Sequence, residues 1–210
     1  MYESVLDEET KKNIKVLSPR GFIKSFYLAG GTACAAHLGH RISNDLDFFS
    51  KEEFSHFEIQ NSLRDCGHFL TDYTDSQTLV GRFNRTKVSF FHYNYPSIRD
   101  VHHFFDLKIS SLEDIGCMKI DTISSRGSKR DFVDLYFILK KFNLGLKEFF
   151  KFFEEKYGTE NFNIYHVLKS LVYFEDAEKD PELNILVQYS WEKVKIFFTE
   201  QIKKFNDLFR

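Results

Sequence analysis

The sequence predicts an α+β chain, a mixed sheet with flanking helices followed by a helical part. Two observations carry this. Strand-like runs rich in β-branched and aromatic residues concentrate before residue 110, and apolar residues at helical spacing take over from Leu112. Such segregation is the mark of an α+β architecture. At 210 residues the chain suffices for one sizeable domain with a helical extension. We place an α+β domain over 1–142 and a helical region, packed on it, over 143–210.

Residues 26–29, FYLA, read as a short buried strand entering a Gly-Gly turn. Residues 32–40 read as a helix with Thr32 as N-cap. DLDFF, 45–49, reads as the second strand. Ser50 and Glu53 have capping-box spacing for a helix to about Cys66, which Gly67 ends. TLVGRF and KVSFFHY are the clearest strands of 68–93, and FDLKIS at 105–110 is a further one.

From Leu112 one helix carries Leu112, Ile115, Met118 and Thr122 on a face. SRGSKR, 125–130, is a basic turn. Ser128 with Asp131 opens a second helix that shows Phe132, Leu135, Tyr136 and Leu139, closed by Asn143 to Gly145. Near the end, Trp191, Val194, Phe198, Ile202, Phe205 and Phe209 form an amphipathic stripe.

Bulk composition excludes several classes. Hydrophobic content of 42% with 29% charged residues is that of an ordinary globular protein. A net charge of −2 provides no global basic field for nucleic acid, although a local patch can still serve. The start, MYESVLDEETKKN, is polar and does not read as a signal peptide. No apolar run approaches the roughly 20 residues that span a membrane, so a cytoplasmic protein is expected. Cys34, Cys66 and Cys117 form no CxxC pair and read as free thiols in a reducing compartment. The 25 phenylalanines read as core packing.

The informative stretch is GGTACAAHLGHRISNDLDFFS, residues 30–50. A helix over 32–40 advances about 13 Å, and four extended residues from Arg41 return about 13 Å. Asp45 can therefore come back beside Gly31, with Asp45 and Asp47 on one strand face. A helix N-terminus offers unpaired N–H groups to phosphate oxygens, and glycines let a ligand approach the backbone. Two close carboxylates repel each other, and oxygen-only ligands suit Mg²⁺ shared with a substrate's phosphates. Taken singly, GGT is a turn and DxD a solvated strand edge. His37 and His40, three apart on the helix, either bind a metal or are packing or surface residues, and the sequence shows no third ligand. GxxxxGK[ST] and GxGxxG are both absent, which excludes P-loop and Rossmann readings.

LAGGTACAAHLGHRISNDLDFFS resembles motif I of the AbiEii/AbiGii toxin family, bacterial nucleotidyltransferases of the DNA polymerase β-like superfamily with a GG[ST]…[DE]x[DE] signature. LEDIGCMKIDTISSRGSKRDFVDLYFIL, 112–139, is similar to the family's later lysine and aspartate motifs. The resemblance implies a polymerase β-like nucleotidyltransferase core. It assigns Gly30, Gly31 and Thr32 to the phosphate-binding turn and Asp45 and Asp47 to the metal. Arg41 and Ser43 fall in the element before those acids, and Lys119 and Asp131, with Asp134 as companion, in the catalytic set.

On their own, these residues leave alternatives open. Lys119, on a largely apolar helix, either snorkels to water or faces a polar cleft. Asp131 either serves catalysis or is a helix-dipole charge or a partner of Arg126 or Arg130. Arg126, Lys129 and Arg130 either touch phosphates or form a solvated turn.

One departure stands out. The superfamily places a third carboxylate on a later strand, where this chain has Ser89; Asp106 is the candidate substitute. The resemblance implies Mg²⁺-dependent transfer of a nucleoside monophosphate from an NTP to an acceptor such as RNA or a tRNA end. It also implies a toxin of a toxin–antitoxin or abortive-infection system, with an antitoxin partner. The alternative is an inactive nucleotidyltransferase fold serving as an interaction module.

Overall fold

The computed structural model describes residues 1–206. They form two compact units, Met1–Ser111 and a second from Leu112. This division falls earlier than the boundary expected after 142. The helices over 112–142 pack on each other and on later helices, so by packing they belong to the helical unit.

The first unit opens with a 3₁₀ turn, Glu3–Val5, and α1, Glu8–Leu17. Asp7 caps α1, its carboxylate accepting from Thr10 N at 2.7 Å. Then come β1 (Tyr27–Ala29), α2 (Gly30–Leu38), β2 (Leu46–Ser50) and α3 (His56–Arg64). The remaining strands are β3 (Phe69–Thr74), β4 (Thr78–Phe83), β5 (Thr86–His92), β6 (His102–Phe104) and β7 (Leu107–Ile109).

These strands make one mixed sheet in the order β3-β4-β5-β2-β1-β7-β6. β2 runs parallel to β5 and β1 parallel to β7, while the other pairs are antiparallel. Strand alternation sorts the side chains. Leu28, Leu46, Phe48, Val88 and Phe90 are fully or almost fully buried on one face, while Asp47 and Phe49 are half-buried on the other.

Three local expectations are corrected. Thr32 does not cap α2, which begins at Gly30 behind an N-cap at Ala29. Ser50 does not start a helix but ends β2, because the parallel pairing with β5 continues to Ser50 and His92. The same S-x-x-E spacing recurs at Ser55 and Glu58, and there Ser55 Oγ accepts from Glu58 N at 3.3 Å and starts α3. FDLKIS is a strand only from Leu107, since Phe105 and Asp106, at φ 50 and 62, form the two-residue turn between β6 and β7.

The second unit holds α4 (Leu112–Ser125), α5 (Lys129–Phe142), α6 (Leu146–Tyr157), α7 (Ile164–Ser170), α8 (Glu175–Glu178) and α9 (Trp191–Asn206). Asn143, at φ 53, ends α5. Phe132, Phe149, Phe153 and Phe198 are among its most buried side chains. Val194, Phe198, Ile202 and Phe205 bury one stripe of α9. Phe209, expected to extend that stripe, lies outside the described residues. Among the described residues, no helix is long and apolar enough to cross a membrane.

Candidate active site

In the first unit the chain leaves β1, turns at Gly30 into α2 and returns along β2, with Ala29 opposite Asp47. Gly30 sits at φ +69, a conformation that favours glycine. A Cβ there would stand 2.7 Å from Asp47 Oδ2. One on Gly31 would stand 2.5 Å from Arg41 Nη2 and 3.3 Å from Ser43 Oγ. Both glycines are thus contact surfaces for the residues that follow α2.

Thr32 is buried, and its hydroxyl donates to the Asp45 carbonyl oxygen and lies 2.9 Å from Ser43 Oγ. The expected group of Gly30, Gly31, Thr32, Arg41, Ser43, Asp45 and Asp47 is therefore gathered around one turn. Asp45 and Asp47 are both half-buried, Asp45 immediately before β2 and Asp47 within it. The donor set, two carboxylates beside the N-terminus of a nine-residue helix, fits a hard divalent cation and an anion together.

The loop over 41–45 is held from its far side by residues that the sequence gave no reason to select. Ser43 N donates to Val5 O at 3.0 Å, and Asp7 N to Asn44 Oδ1 at 2.9 Å. Thr10 Oγ1 donates to Asn44 O at 3.3 Å. These contacts join segments 34 to 38 residues apart, beyond any local pattern. His37 serves the scaffold, with Nε2 2.8 Å from Ser110 O. Burial pushes its pKa down, by more than that bond raises it. His40 is buried.

No third carboxylate joins the two on the neighbouring strands. Ser89 lies directly opposite Asp47 on β5 and is buried. Asp106 is no substitute. It lies in the turn before β7, which runs parallel to β1 with Ile109 opposite Leu28. That turn is at the opposite end of the sheet from Gly30.

The later motif residues meet in the second unit. Lys119 Nζ lies 2.7 Å from Asp131 Oδ1 and 2.7 Å from Asp134 Oδ2, and all three residues are buried. Lys119 thus neither snorkels nor stands alone; it bridges two carboxylates on successive turns of α5. Asp131 also accepts from Arg126 Nε at 3.2 Å and Ser128 Oγ at 2.6 Å. Burial pushes its pKa up, but Lys119, Arg126 and these hydrogen bonds outweigh that and hold it below the usual carboxylate range. The basic turn is divided in use. Lys129 is buried against Glu182 at 3.2 Å, and only Arg126 and Arg130 are exposed.

Known structures share the fold. One is JHP933 from Helicobacter pylori, with TM-score 0.53, 16% identity and coverage of 97% of this chain and 96% of that one. Another is MenT4, the nucleotidyltransferase toxin Rv2826c from Mycobacterium tuberculosis H37Rv, with TM-score 0.54, 11% identity and coverage of 92% and 81%. The model of the AbiEii family, the nucleotidyl transferase AbiEii toxins of type IV toxin–antitoxin systems, matches residues 92–209. The chain belongs to this AbiEii nucleotidyltransferase toxin family. It is also 37% identical over 204 residues to aq_aa25 of Aquifex aeolicus (strain VF5), itself uncharacterized, covering 95% of this chain and 97% of that protein.

Proposed function

We propose that this nucleotidyltransferase moves a nucleoside monophosphate from an NTP to an RNA hydroxyl, a tRNA end among the acceptors, with Mg²⁺ held by Asp45 and Asp47. We further propose that it acts in the bacterial cytoplasm under restraint by an antitoxin. The observation that carries this reading is the approach of Asp47 Oδ2 to Gly30, where an added methyl group would force that carboxylate to shift. It sets the Asp47 carboxylate against the turn that we take to bind the triphosphate.

Gly31 and Thr32, at the start of α2, present backbone N–H groups to triphosphate oxygens, and the missing Cβ atoms let Asp47, Arg41 and Ser43 close on the turn. Arg41 and Ser43 hold the turn from behind. When bound, Mg²⁺ supplies positive charge against the triphosphate and the charge that develops on the α-phosphate. The acceptor hydroxyl attacks the α-phosphorus in line, and pyrophosphate leaves. With Ser89 in place of a third acid, the carboxylates suit one cation. We assign Lys119 and Asp131 to the catalytic set on the family motif, and therefore take 1–142 as the catalytic part of the chain.

The test incubates the full chain with α-labelled NTPs, Mg²⁺ and total RNA. Wild type transfers label to RNA, while Asp45→Ala and Asp47→Ala fall to background. Ser89 also favours a second reading, a fold retained as an interaction module. No Asp47-dependent transfer and no NTP binding would select that reading.

A further inference from the structure

A cleft of about 310 Å³ opens in the second unit, walled by the end of α4, the turn into α5 and one face of α7. Two cations and an imidazole line it, Arg126 from the turn and Lys169 and His166 from α7. His166, Lys169 and Ser170 stand at helical spacings of three and four, which puts them on one face.

Counting hydrogens shows what the cleft can hold. Ser124 Oγ and Ser125 Oγ donate to Asp121 O at 2.7 and 3.1 Å, and Ser170 Oγ to His166 O at 2.9 Å. The Tyr173 hydroxyl donates to Glu175 Oε2 at 3.0 Å. These four hydroxyls of the wall have each spent their one hydrogen and can only accept. Asp176, also on the wall, is neutralised by Lys179 at 3.0 Å. The spare hydrogens are on nitrogen. Arg126 gives Nε and Nη2 to Asp131, at 3.2 and 3.5 Å, which leaves its Nη1 hydrogens unused. Lys169 is exposed, and its ammonium has no hydrogen bond or ion pair among the described residues. The end of a helix repels anions through its unpaired carbonyls. At the end of α4 those of Asp121, Thr122 and Ser124 are taken, by the two serines, by Arg126 N and by His166 Nε2.

Spare hydrogens on cations select an anion, and hydroxyls that only accept select a ligand with hydroxyl groups of its own. Arg126 and Lys169 reach the cleft from different elements. A tetrahedral phosphate offers oxygens in both directions, whereas the two oxygens of a carboxylate lie in one plane. The cleft has room for about ten waters at roughly 30 Å³ each, so a phosphate group fills part of it and its ester substituent the rest. The structure assigns this cleft to the phosphate and ribose of a ribonucleotide, free or within an RNA chain. Arg126 and Lys169 hold the phosphate, and the serine oxygens accept from the ribose hydroxyls. The assignment stands independently of the nucleotidyl-transfer reading, since no residue of the Gly30 turn takes part.

The experiment is calorimetric titration of the full chain, in EDTA, with AMP, inorganic phosphate, 2′,3′-dideoxy-AMP and succinate. AMP binds more tightly than phosphate, dideoxy-AMP several-fold more weakly than AMP, and succinate gives no heat. Lys169→Gln, at an exposed side chain without a partner, weakens AMP binding roughly tenfold. Arg126→Lys keeps a cation beside Asp131 but loses the guanidinium fork, and also weakens it. Asp47→Asn leaves it unchanged. No binding of AMP, wild-type affinity in Lys169→Gln, or a loss in Asp47→Asn as large as in Lys169→Gln overturns the assignment. Succinate binding as tight as phosphate overturns it in favour of an acidic peptide, and equal affinity for AMP and dideoxy-AMP removes the ribose from it. A 12-nucleotide oligo(U) with a 5′-hydroxyl sorts the source. Lys169-dependent binding tighter than that of AMP places an RNA phosphodiester in the cleft, and weaker binding a free nucleotide.

Discussion

Two residues show how much rests on single side chains. Gly30 combines a positive φ with the Asp47 carboxylate where a Cβ would be. Gly30→Ala is expected to cost about 1–2 kcal/mol for the left-handed backbone and to abolish transfer by displacing Asp47. Gly30→Asn separates the effects, since asparagine tolerates that backbone, as Asn84 at φ 53 and Asn143 at φ 53 show. It should recover part of the stability in urea unfolding while transfer stays lost. If Gly30→Asn restores transfer, the Cβ contact is irrelevant. Lys119 poses a different problem, because its loss leaves Asp131 and Asp134 buried with one cation fewer. Removing one partner of a buried ion pair costs about 3–5 kcal/mol, so Lys119→Met should be unstable at pH 7 whatever it does to catalysis. The depressed pKa of Asp131 sets the pH dependence. A carboxyl whose folded pKa lies below the unfolded value of about 3.9 contributes stability that is complete above that value and lost as pH falls toward the folded pKa. The gap between wild type and Lys119→Met in urea midpoint should therefore narrow on acidification below about pH 4. A gap independent of pH would mean that charge is not what Lys119 balances.

At the level of elements, the sequence was legible wherever the signal was local and misleading wherever a distant partner claimed the residue. The Gly-Gly turn and DLD strand could be read because the loop between them closes within 20 residues. Thr32 was misread as a cap because its hydroxyl goes instead to Asp45 across the turn. Ser50 and Ser55 offer the same capping pattern, and only the pairing of β2 with β5 decides between them. The brace from Val5, Asp7 and Thr10 carried no sequence signal, since Val5 and Asp7 act through backbone groups that every residue has, and the partners lie 34 to 38 residues away. The misjudged start of β7 has a testable counterpart. Two-residue hairpin turns with both φ positive favour Asn-Gly, and here Phe105 and Asp106 occupy them. Phe105→Asn with Asp106→Gly should raise stability by about 1 kcal/mol, less what the Phe104–Phe105 ring contact at 4.7 Å contributes. Thermal melts decide this, and a lowered midpoint would show that the ring contact outweighs the backbone strain.

For the molecule as a whole, the family match and the proposed phosphate and metal site lie in different places. The AbiEii model covers 92–209, including Lys119 and Asp131, while the glycine turn and its carboxylates lie outside it. The alternation of the DLD strand and the register of Ala29 with Asp47 therefore support a nucleotide site there independently of the matched segment. A site that binds only the folded chain must stabilise it by RT ln(1 + [L]/Kd), about 2.7 kcal/mol at 100 times Kd. For a chain of this size each kcal/mol moves the midpoint by about 2–4 °C. An NTP with Mg²⁺ should thus raise Tm by roughly 5–10 °C. Without a divalent cation the triphosphate would face Asp45 and Asp47 at close range, and repulsion would cancel much of what the α2 N-terminus offers. EDTA should therefore remove most of the shift. Asp47→Asn in EDTA should regain part of it, because one of the repelling charges is gone. That reversal is the informative result, since loss of affinity alone could follow from any damage to the turn. An NTP shift unchanged by EDTA in wild type would show that these carboxylates hold no cation, and the proposed reaction would lose its metal.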